Sequence, residues 1–258
     1  MKPAEKDIAL KISSISASFD GFYALTDVSV EVERNTSRFF IGPNGAGKTT
    51  LLDIICAKTK PSAGTVAFFP KSGPMARLTG MKERQIASMG IGRKFQVPSV
   101  FASLTVFDNM LLSLKGHKGI WDSIFRPLSA HDEEKIEAGL ERADLSDKKG
   151  SSAGSLAHGQ KQRLEIAMLL VQEPELILLD EPTAGMGKRE TEETGEMLAQ
   201  IKKSCTVIAV EHDMDFIKQA ADMVTVLHEG KVLVEGSVLE VLADKAVQAV
   251  YLGRGGDY

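Results

Sequence analysis

The sequence predicts an α/β fold built on a largely parallel sheet. Three observations carry this. Short apolar runs at Arg38–Ile41, Leu176–Leu179 and Val207–Val210 have strand length, and continuous apolar runs suit strands covered on both faces. Helix-periodic stretches alternate with them. The first run leads directly into a glycine-rich segment and then a helix, a strand–loop–helix unit.

In chain order, Ile8, Leu10 and Ile12, then Val28, Val30 and Val32, alternate with period two. They read as half-buried strands of an antiparallel sheet at the amino end. Arg38–Ile41 ends at Gly42, and Thr49–Ala57 reads as the following helix. The stretch from Pro98 to Ser155 differs in texture, with Gly116-His117-Lys118-Gly119 and Arg126-Pro127 as punctuation. Within it, Asp132–Ala143 is a charged helix carrying Ile136, Leu140 and Ala143 on one side. One domain is expected over 1–258, with a helical subdomain at about 97–160 inserted between core segments 1–96 and 161–258. From Gln160 the spacing of Leu164, Ala167, Met168 and Val171 is again helical, and Pro174 closes it. Val224–Leu227 and Lys231–Val234 flank His228-Glu229-Gly230, a hairpin signal.

Composition narrows the function classes. The 258 residues are 43% apolar and 26% charged, with a formal net charge of −4, which excludes a disordered chain. The acidic balance supplies no global basic field for nucleic acid or an acidic membrane. No apolar stretch nears the roughly 18–20 residues that span a bilayer, and the amino-terminal residues lack the apolar core of a secretory signal. Cys56 and Cys205 have no metal-like spacing and read as reduced core thiols.

Four motifs carry chemistry. Gly42-Pro43-Asn44-Gly45-Ala46-Gly47-Lys48-Thr49 fits G-x-x-x-x-G-K-[ST] between strand and helix. Its glycines let backbone N–H groups turn toward phosphate oxygens, and the helix N-terminus adds a field favourable to the anion. Lys48 would reach the β- and γ-phosphates and the Thr49 hydroxyl would ligate Mg²⁺; the cradle runs to Thr50. Asp180-Glu181 ends a buried strand, where α/β sheets bind ligands. Asp180 would hold the metal shell, and Glu181 would polarise the attacking water. His212 follows Val207–Val210 and Glu211. Locally it is a polar residue closing a strand; beside the strand ending at Asp180-Glu181 it would orient water or stabilise charge. Leu156-Ala157-His158-Gly159-Gln160 precedes the periodic helix. Read locally it is a helix start, but its N–H groups also suit a phosphate, and such a second site makes sense if it completes the site of another chain.

Together these residues resemble the ATP-binding-cassette (ABC) ATPases, from about Ile8 to Leu252 and with the motifs in the family's order. The resemblance implies a RecA-like parallel-sheet core, an N-terminal antiparallel β subdomain and an inserted α-helical subdomain. It implies ATP and Mg²⁺ as ligands. Phe19 falls where the family stacks an aromatic on adenine, and Gln96 matches the glutamine that touches Mg²⁺ and senses the γ-phosphate. Leu156, Ala157, His158, Gly159 and Gln160 match the signature loop acting in trans, Asp180 and Glu181 the magnesium and catalytic acids, and His212 the switch histidine.

Text between the motifs, including Gly90–Gln96, Leu104–Met110, Glu181–Met186 and Val210–Met214, is similar to the ATPases of branched-chain amino acid and urea importers. Leu51–Cys56 and His158 favour the urea type. That subgroup implies a second ATPase chain, two membrane permeases and a periplasmic solute-binding protein, with the ATPase in the cytoplasm and at the membrane only through its permeases. Val100, Phe101 and Leu104 would then line a groove for short permease helices; packing within the lobe is the local alternative. Soluble ABC ATPases of iron–sulfur assembly and lipopolysaccharide-exporter ATPases are the rivals.

The chain departs from the family pattern in its signature, where Ala157 replaces a serine and His158 a glycine. The serine hydroxyl meets the γ-phosphate, and a hydrogen bond to a charged group contributes about 1.5–3 kcal/mol. Gly187 stands where the family often carries an aspartate. The expectation is an asymmetric pair in which the site on this chain's own phosphate loop hydrolyses at least as well as the other.

Overall fold

The computed structural model describes residues 7–94, 100–114 and 128–252. Gln96, Pro98, Trp121 and Phe125 lie outside the described residues. Two sheets organise the chain. The first is four-stranded and antiparallel, in the order β2(Phe22–Glu33)–β1(Ile8–Phe19)–β4(Ala63–Phe68)–β5(Ala76–Arg77). The second is six-stranded, in the order β10(Lys231–Gly236)–β9(Met223–His228)–β3(Ser37–Ile41)–β8(Thr206–Val210)–β7(Leu176–Asp180)–β6(Ile91–Lys94). It is parallel from β9 to β6, and β10 returns antiparallel as a hairpin.

The apolar runs occupy the centre of the larger sheet, as their sequence requires. Every residue of β3, β7 and β8 is buried. Alternate residues feed two cores. Phe40, Leu176, Leu178, Ile208 and Val210 face the antiparallel sheet and α1(Lys48–Ile55). Phe39, Ile41, Ile177, Leu179, Val207 and Ala209 face helices on the other side, with the Phe39 and Phe216 rings meeting edge to face at 5.7 Å. Cys56 and Cys205 are free and buried, and burial pushes the Cys205 thiol up to about 12.

The amino-terminal strands pair as their alternation predicts, with Leu10 opposite Val32 and Ile12 opposite Val30. The phase then slips. Ile15 is buried three residues after Ile12, and the register shifts between them, with Ser14 at φ 49°. A bulge absorbs one extra residue and returns the next apolar side chain to the core. The helix after the glycine-rich loop begins at Lys48 and ends at Ile55, two residues short of the expected Ala57, because Ala57 takes a left-handed φ of 63°.

Among the described residues the other α-helices are α2(Glu83–Ser88), α3(Val106–Ser113), α4(Ala130–Arg142), α5(His158–Leu170), α6(Lys188–Ile201), α7(Met214–Ala220), α8(Val238–Ala243) and α9(Lys245–Leu252). Helices α3, α4 and α5 pack through Val106, Met110, Ile136, Leu140 and Leu164. Thr105 caps α3 by accepting from the Asp108 N–H at 3.0 Å, and Ser129 caps α4 by accepting from the Asp132 N–H at 3.1 Å. The Asn109 side chain, fully buried, bonds both the N–H and the carbonyl of Phe101 and so pins the segment ahead of α3. Phe101 itself is 53% exposed, while Val100 packs against the core. Among the described residues no helix is long and apolar enough to cross a membrane.

Helix α5 starts at His158, two residues before the expected Gln160, so only Leu156 and Ala157 of the signature segment precede it. Ala157 is its N-cap, with extended backbone and no side-chain acceptor; the Gln160 side chain accepts from the Ala157 N–H at 3.1 Å. Ala157→Ser supplies the missing half of a reciprocal cap. It is expected to stabilise the isolated chain by about 1 kcal/mol, raising Tm by about 2–4 °C. Thermal denaturation checks this; an unchanged or lower Tm counts against it.

Candidate functional site

Parallel strands place their carboxyl ends on one edge, and here that edge gathers the chemistry. Phe40 pairs with Val210, and Val210 with Asp180. The residues that follow, Gly42 after β3, Glu181 after β7 and Glu211-His212 after β8, therefore leave the sheet side by side.

The loop Gly42–Gly47 is clamped between two strands. Gly42 has φ 142°, and a Cβ there would lie 2.0 Å from the Leu227 carbonyl oxygen at the end of β9. Gly47, at φ 98°, would bring a Cβ within 2.5 Å of the Ala24 carbonyl oxygen on β2. Both positions demand glycine on conformation and on space. The Ala46 N–H donates to Pro43 at 3.1 Å, closing the turn. Lys48 opens α1 almost wholly buried, and its ammonium donates to the Gly42 and Pro43 carbonyls at 2.6 and 3.1 Å. Burial pushes its pKa down, opposed by the charges of Glu181 and Asp180.

The Thr49 hydroxyl lies 3.5 Å from Asp180 Oδ1. Burial raises the Asp180 pKa, and the nearby Arg93 guanidinium works against that. Among the described residues no group of three or more His, Cys, Asp or Glu converges to hold a metal. Two hard oxygens beside a phosphate-sized loop suit Mg²⁺, which takes one or two protein oxygens and completes its shell with substrate phosphates and water.

Glu181 sits at φ 47°, a conformation that needs support from its surroundings. Its N–H donates to the Val210 carbonyl at 3.0 Å, and the Ala184 N–H closes a turn onto the Glu181 carbonyl at 3.2 Å. His212 Nδ1 lies 4.0 Å from Glu181 Oε1, with the imidazole 67% exposed.

Two positioning groups escaped the sequence reading. Glu211 is 1% exposed; its Oε1 accepts from the Thr183 N–H and hydroxyl at 3.0 and 2.5 Å, and its Oε2 from the His212 N–H at 2.9 Å. One carboxylate thus staples the turn after Glu181 to the loop carrying His212. Arg93, on edge strand β6, reaches Asp53 Oδ1 at 2.6 Å, Cys56 Sγ at 2.9 Å and Asp180 Oδ2 at 3.6 Å. It ties α1 to the acidic end of β7. The only signal for either was a charge inside an otherwise apolar or motif-bearing segment.

A cavity of about 440 Å³ adjoins the loop, lined by Phe22, Tyr23, Pro43, Asn44, Gly45, Ala46, His228 and Glu229. Phe19, the aromatic singled out from sequence, is 48% exposed and does not line it. Phe22 and Tyr23 lie just across the Asp20-Gly21 hairpin. The trans segment reaches this edge from another element: His158, Gly159 and Gln160 form the first turn of α5, and His158 Nε2 lies 3.0 Å from the Ala184 carbonyl oxygen.

The family model for the ABC transporter matches residues 25–184. The high-affinity branched-chain amino acid transport ATP-binding protein LivG of Salmonella typhimurium is 32% identical over 254 residues, covering 95% of this chain and 98% of LivG. The corresponding BraF of Pseudomonas aeruginosa is 30% identical over 254 residues, with the same coverage. Among solved structures, an ATP-binding cassette of an ABC transporter in its ADP conformation superposes with a TM-score of 0.82 at 29% identity, covering 95% of this chain and 99% of the other. With a family model spanning more than half its length and relatives at least 30% identical along nearly all of it, the chain belongs to the ABC transporter family as an ATP-binding cassette, an ATPase.

Proposed function

We propose that this cassette powers an importer for branched-chain amino acids or urea, and that it hydrolyses ATP in a site composed with a second cassette. The observation that carries the reading is the meeting of Lys48, Thr49, Asp180, Glu181 and His212 at one sheet edge. The relatives named for branched-chain amino acid transport support the solute class. His158 and Leu51–Cys56 favour urea within it. The partners are a second ATPase chain, two permeases and a periplasmic solute-binding protein. The chain works at the cytoplasmic face of the membrane, held there by its permeases.

The reaction is in-line attack of water on the γ-phosphate, for which positioning and charge stabilisation supply most of the acceleration. Lys48 and the N–H groups from Gly42 to Thr50 hold the β- and γ-phosphates. Thr49, Asp180 and Gln96 hold Mg²⁺, which when bound neutralises phosphate charge. Glu181 accepts a hydrogen bond from the attacking water and takes its proton. His212, within 4.0 Å of that carboxylate, orients the water and stabilises charge at the γ-phosphate. The partner's signature closes the far side, and Leu156–Gln160 does the same for the partner's ATP. Phe22 and Tyr23 line the cavity beside the loop and would hold the nucleobase there; Phe19, the aromatic of the family pattern, lies outside that cavity, across the hairpin.

Glu181→Gln is expected to keep nucleotide binding, lower turnover by at least about a hundredfold, as loss of a general base does, and accumulate a closed dimer with ATP. Turnover near that of the unmodified protein would sink the role of Glu181. Base stacking contributes about 1–3 kcal/mol per aromatic. Tyr23→Ala is therefore expected to weaken ATP binding by about tenfold with little effect on inorganic triphosphate; titration calorimetry with both ligands checks it, and equal losses for the two refute a base contact. In the assembled transporter Ala157→Ser should raise ATPase activity through the partner's site, and an unaltered rate removes the case for an asymmetric pair.

A further inference from the structure

The segment that this chain offers to its partner's nucleotide is fastened, inside the chain, to its own catalytic turn. His158 opens α5 and directs Nε2 at the Ala184 carbonyl oxygen, 3.0 Å away. The same nitrogen lies 3.2 Å from the Gln162 side-chain amide, one helical turn on. A ring nitrogen cannot donate to a carbonyl and also accept from an amide N–H. The carbonyl has no proton to give, so a hydrogen bond there requires the proton on Nε2, and the Gln162 carboxamide, whose nitrogen faces the ring, would then turn its oxygen to it. Side-chain amides are oriented by such networks. The fit is close: a Cβ on Gly185 would come within 3.3 Å of Nε2.

Ala184 is the last residue of the turn that begins at Glu181. That turn holds Glu181 at a left-handed φ of 47°, which a glutamate adopts only where its surroundings enforce it. Three hydrogen-bonded ties do so. The Glu181 N–H donates to Val210, the Ala184 N–H donates to Glu181, and Thr183 donates to the Glu211 carboxylate. The fourth is the His158 imidazole on the Ala184 carbonyl, and it comes from outside the sheet. Further along α5, Arg163 Nη1 bonds Glu193 Oε2 at 2.6 Å on α6, the helix that follows the turn, so α5 is fastened both to the turn after Glu181 and to the helix beyond it.

We propose that His158 is a positioning residue for Glu181 of its own chain. By donating from Nε2 to Ala184 it fixes the turn that aims the Glu181 carboxylate. Movement of the signature segment against the partner's ATP then reaches this chain's own hydrolytic site directly. The inference rests on the ATPase roles proposed above for Glu181 and the signature segment.

The test uses the assembled transporter with the partner ATPase disabled at its catalytic carboxylate, so that turnover comes from this chain's site. His158→Phe keeps the ring but removes the donor. A net hydrogen bond carries about three- to tenfold in an equilibrium, so kcat is expected to fall by about that factor with KM for ATP unchanged. His158→Gln, whose amide nitrogen reaches the Nε2 position, should restore most of the rate; His158→Asn, one bond shorter, should not. In the isolated chain His158→Phe should speed amide hydrogen exchange across residues 183–187. The inference is overturned if His158→Phe leaves kcat and exchange as they were, or if His158→Gln is as impaired as His158→Phe. It is also overturned if the rate loss appears only in the converse assembly, with Glu181→Gln here and an intact partner, because His158 then serves the partner's phosphate. Absent turnover in the unmodified assembly with the exchange difference intact would count against the ATPase roles while supporting the tie itself.

Discussion

The parallel pairing of β8 with β3 on one side and β7 on the other is the constraint on which the site depends. Phe40, Val210 and Asp180 stand in register across these three strands. Three loops distant in sequence therefore leave the sheet at one level. The pairing is stable because all three strands bury every residue, feeding alternate side chains into two cores. A slip of one residue would exchange the cores' side chains, so the packing that stabilises the sheet also fixes where Lys48, Glu181 and His212 meet.

Burying charge at this edge costs energy unless each group is paired. Arg93 meets Asp53 and Asp180, Lys94 lies 3.6 Å from Glu165, and Glu211 receives hydrogen bonds from both flanking loops. Removing one partner from such a pair leaves the other charge stranded, which costs about 3–5 kcal/mol. The pairs thus make the site's geometry a collective property. Asp180 is placed by β7, but its surroundings are set by an edge strand and by α1. The clamp of β2 and β9 on Gly42 and Gly47 acts in the same way on the phosphate loop, whose conformation is imposed from both sides.

The candidate site was legible where it is contiguous. Gly42–Thr49 needs consecutive residues to form one cradle, and Asp180-Glu181 needs only a strand end. The five-residue apolar strands were legible for the same reason. Groups that act across strands were not. Arg93 and Glu211 are single charges whose meaning depends on strand order. Helix α6 escaped because its buried stripe is built on Thr191, Thr194 and Gly195 with Met197, Leu198 and Ile201, so helical periodicity exists there without an apolar signal. Phe19 was placed by motif position, and the cavity's aromatics, Phe22 and Tyr23, lie beyond a hairpin turn on the other strand. The bulge at Ser14 shows how little a period-two pattern constrains a long strand once one residue is inserted.

Three departures from the family's pattern, Ala157, His158 and Gly187, read from sequence as separate changes in two motifs. Space joins them. His158 touches the turn that ends near Gly187, and Glu190 on α6 accepts from the Gly187 N–H at 3.1 Å while lying against Gly159. A cassette pair needs its trans segment and its own catalytic turn to move in concert. A carboxylate at position 187 would make that connection across the interface, through the other chain. An imidazole at position 158 makes it within the chain, with a fixed distance and no dependence on the partner's alignment. On that arrangement the loss of the serine hydroxyl and the gain of the histidine are one change in kind: the signature segment would give up one hydrogen bond to the partner's phosphate and gain a hold on the turn that carries its own Glu181, and the two sites of the pair need not be equivalent.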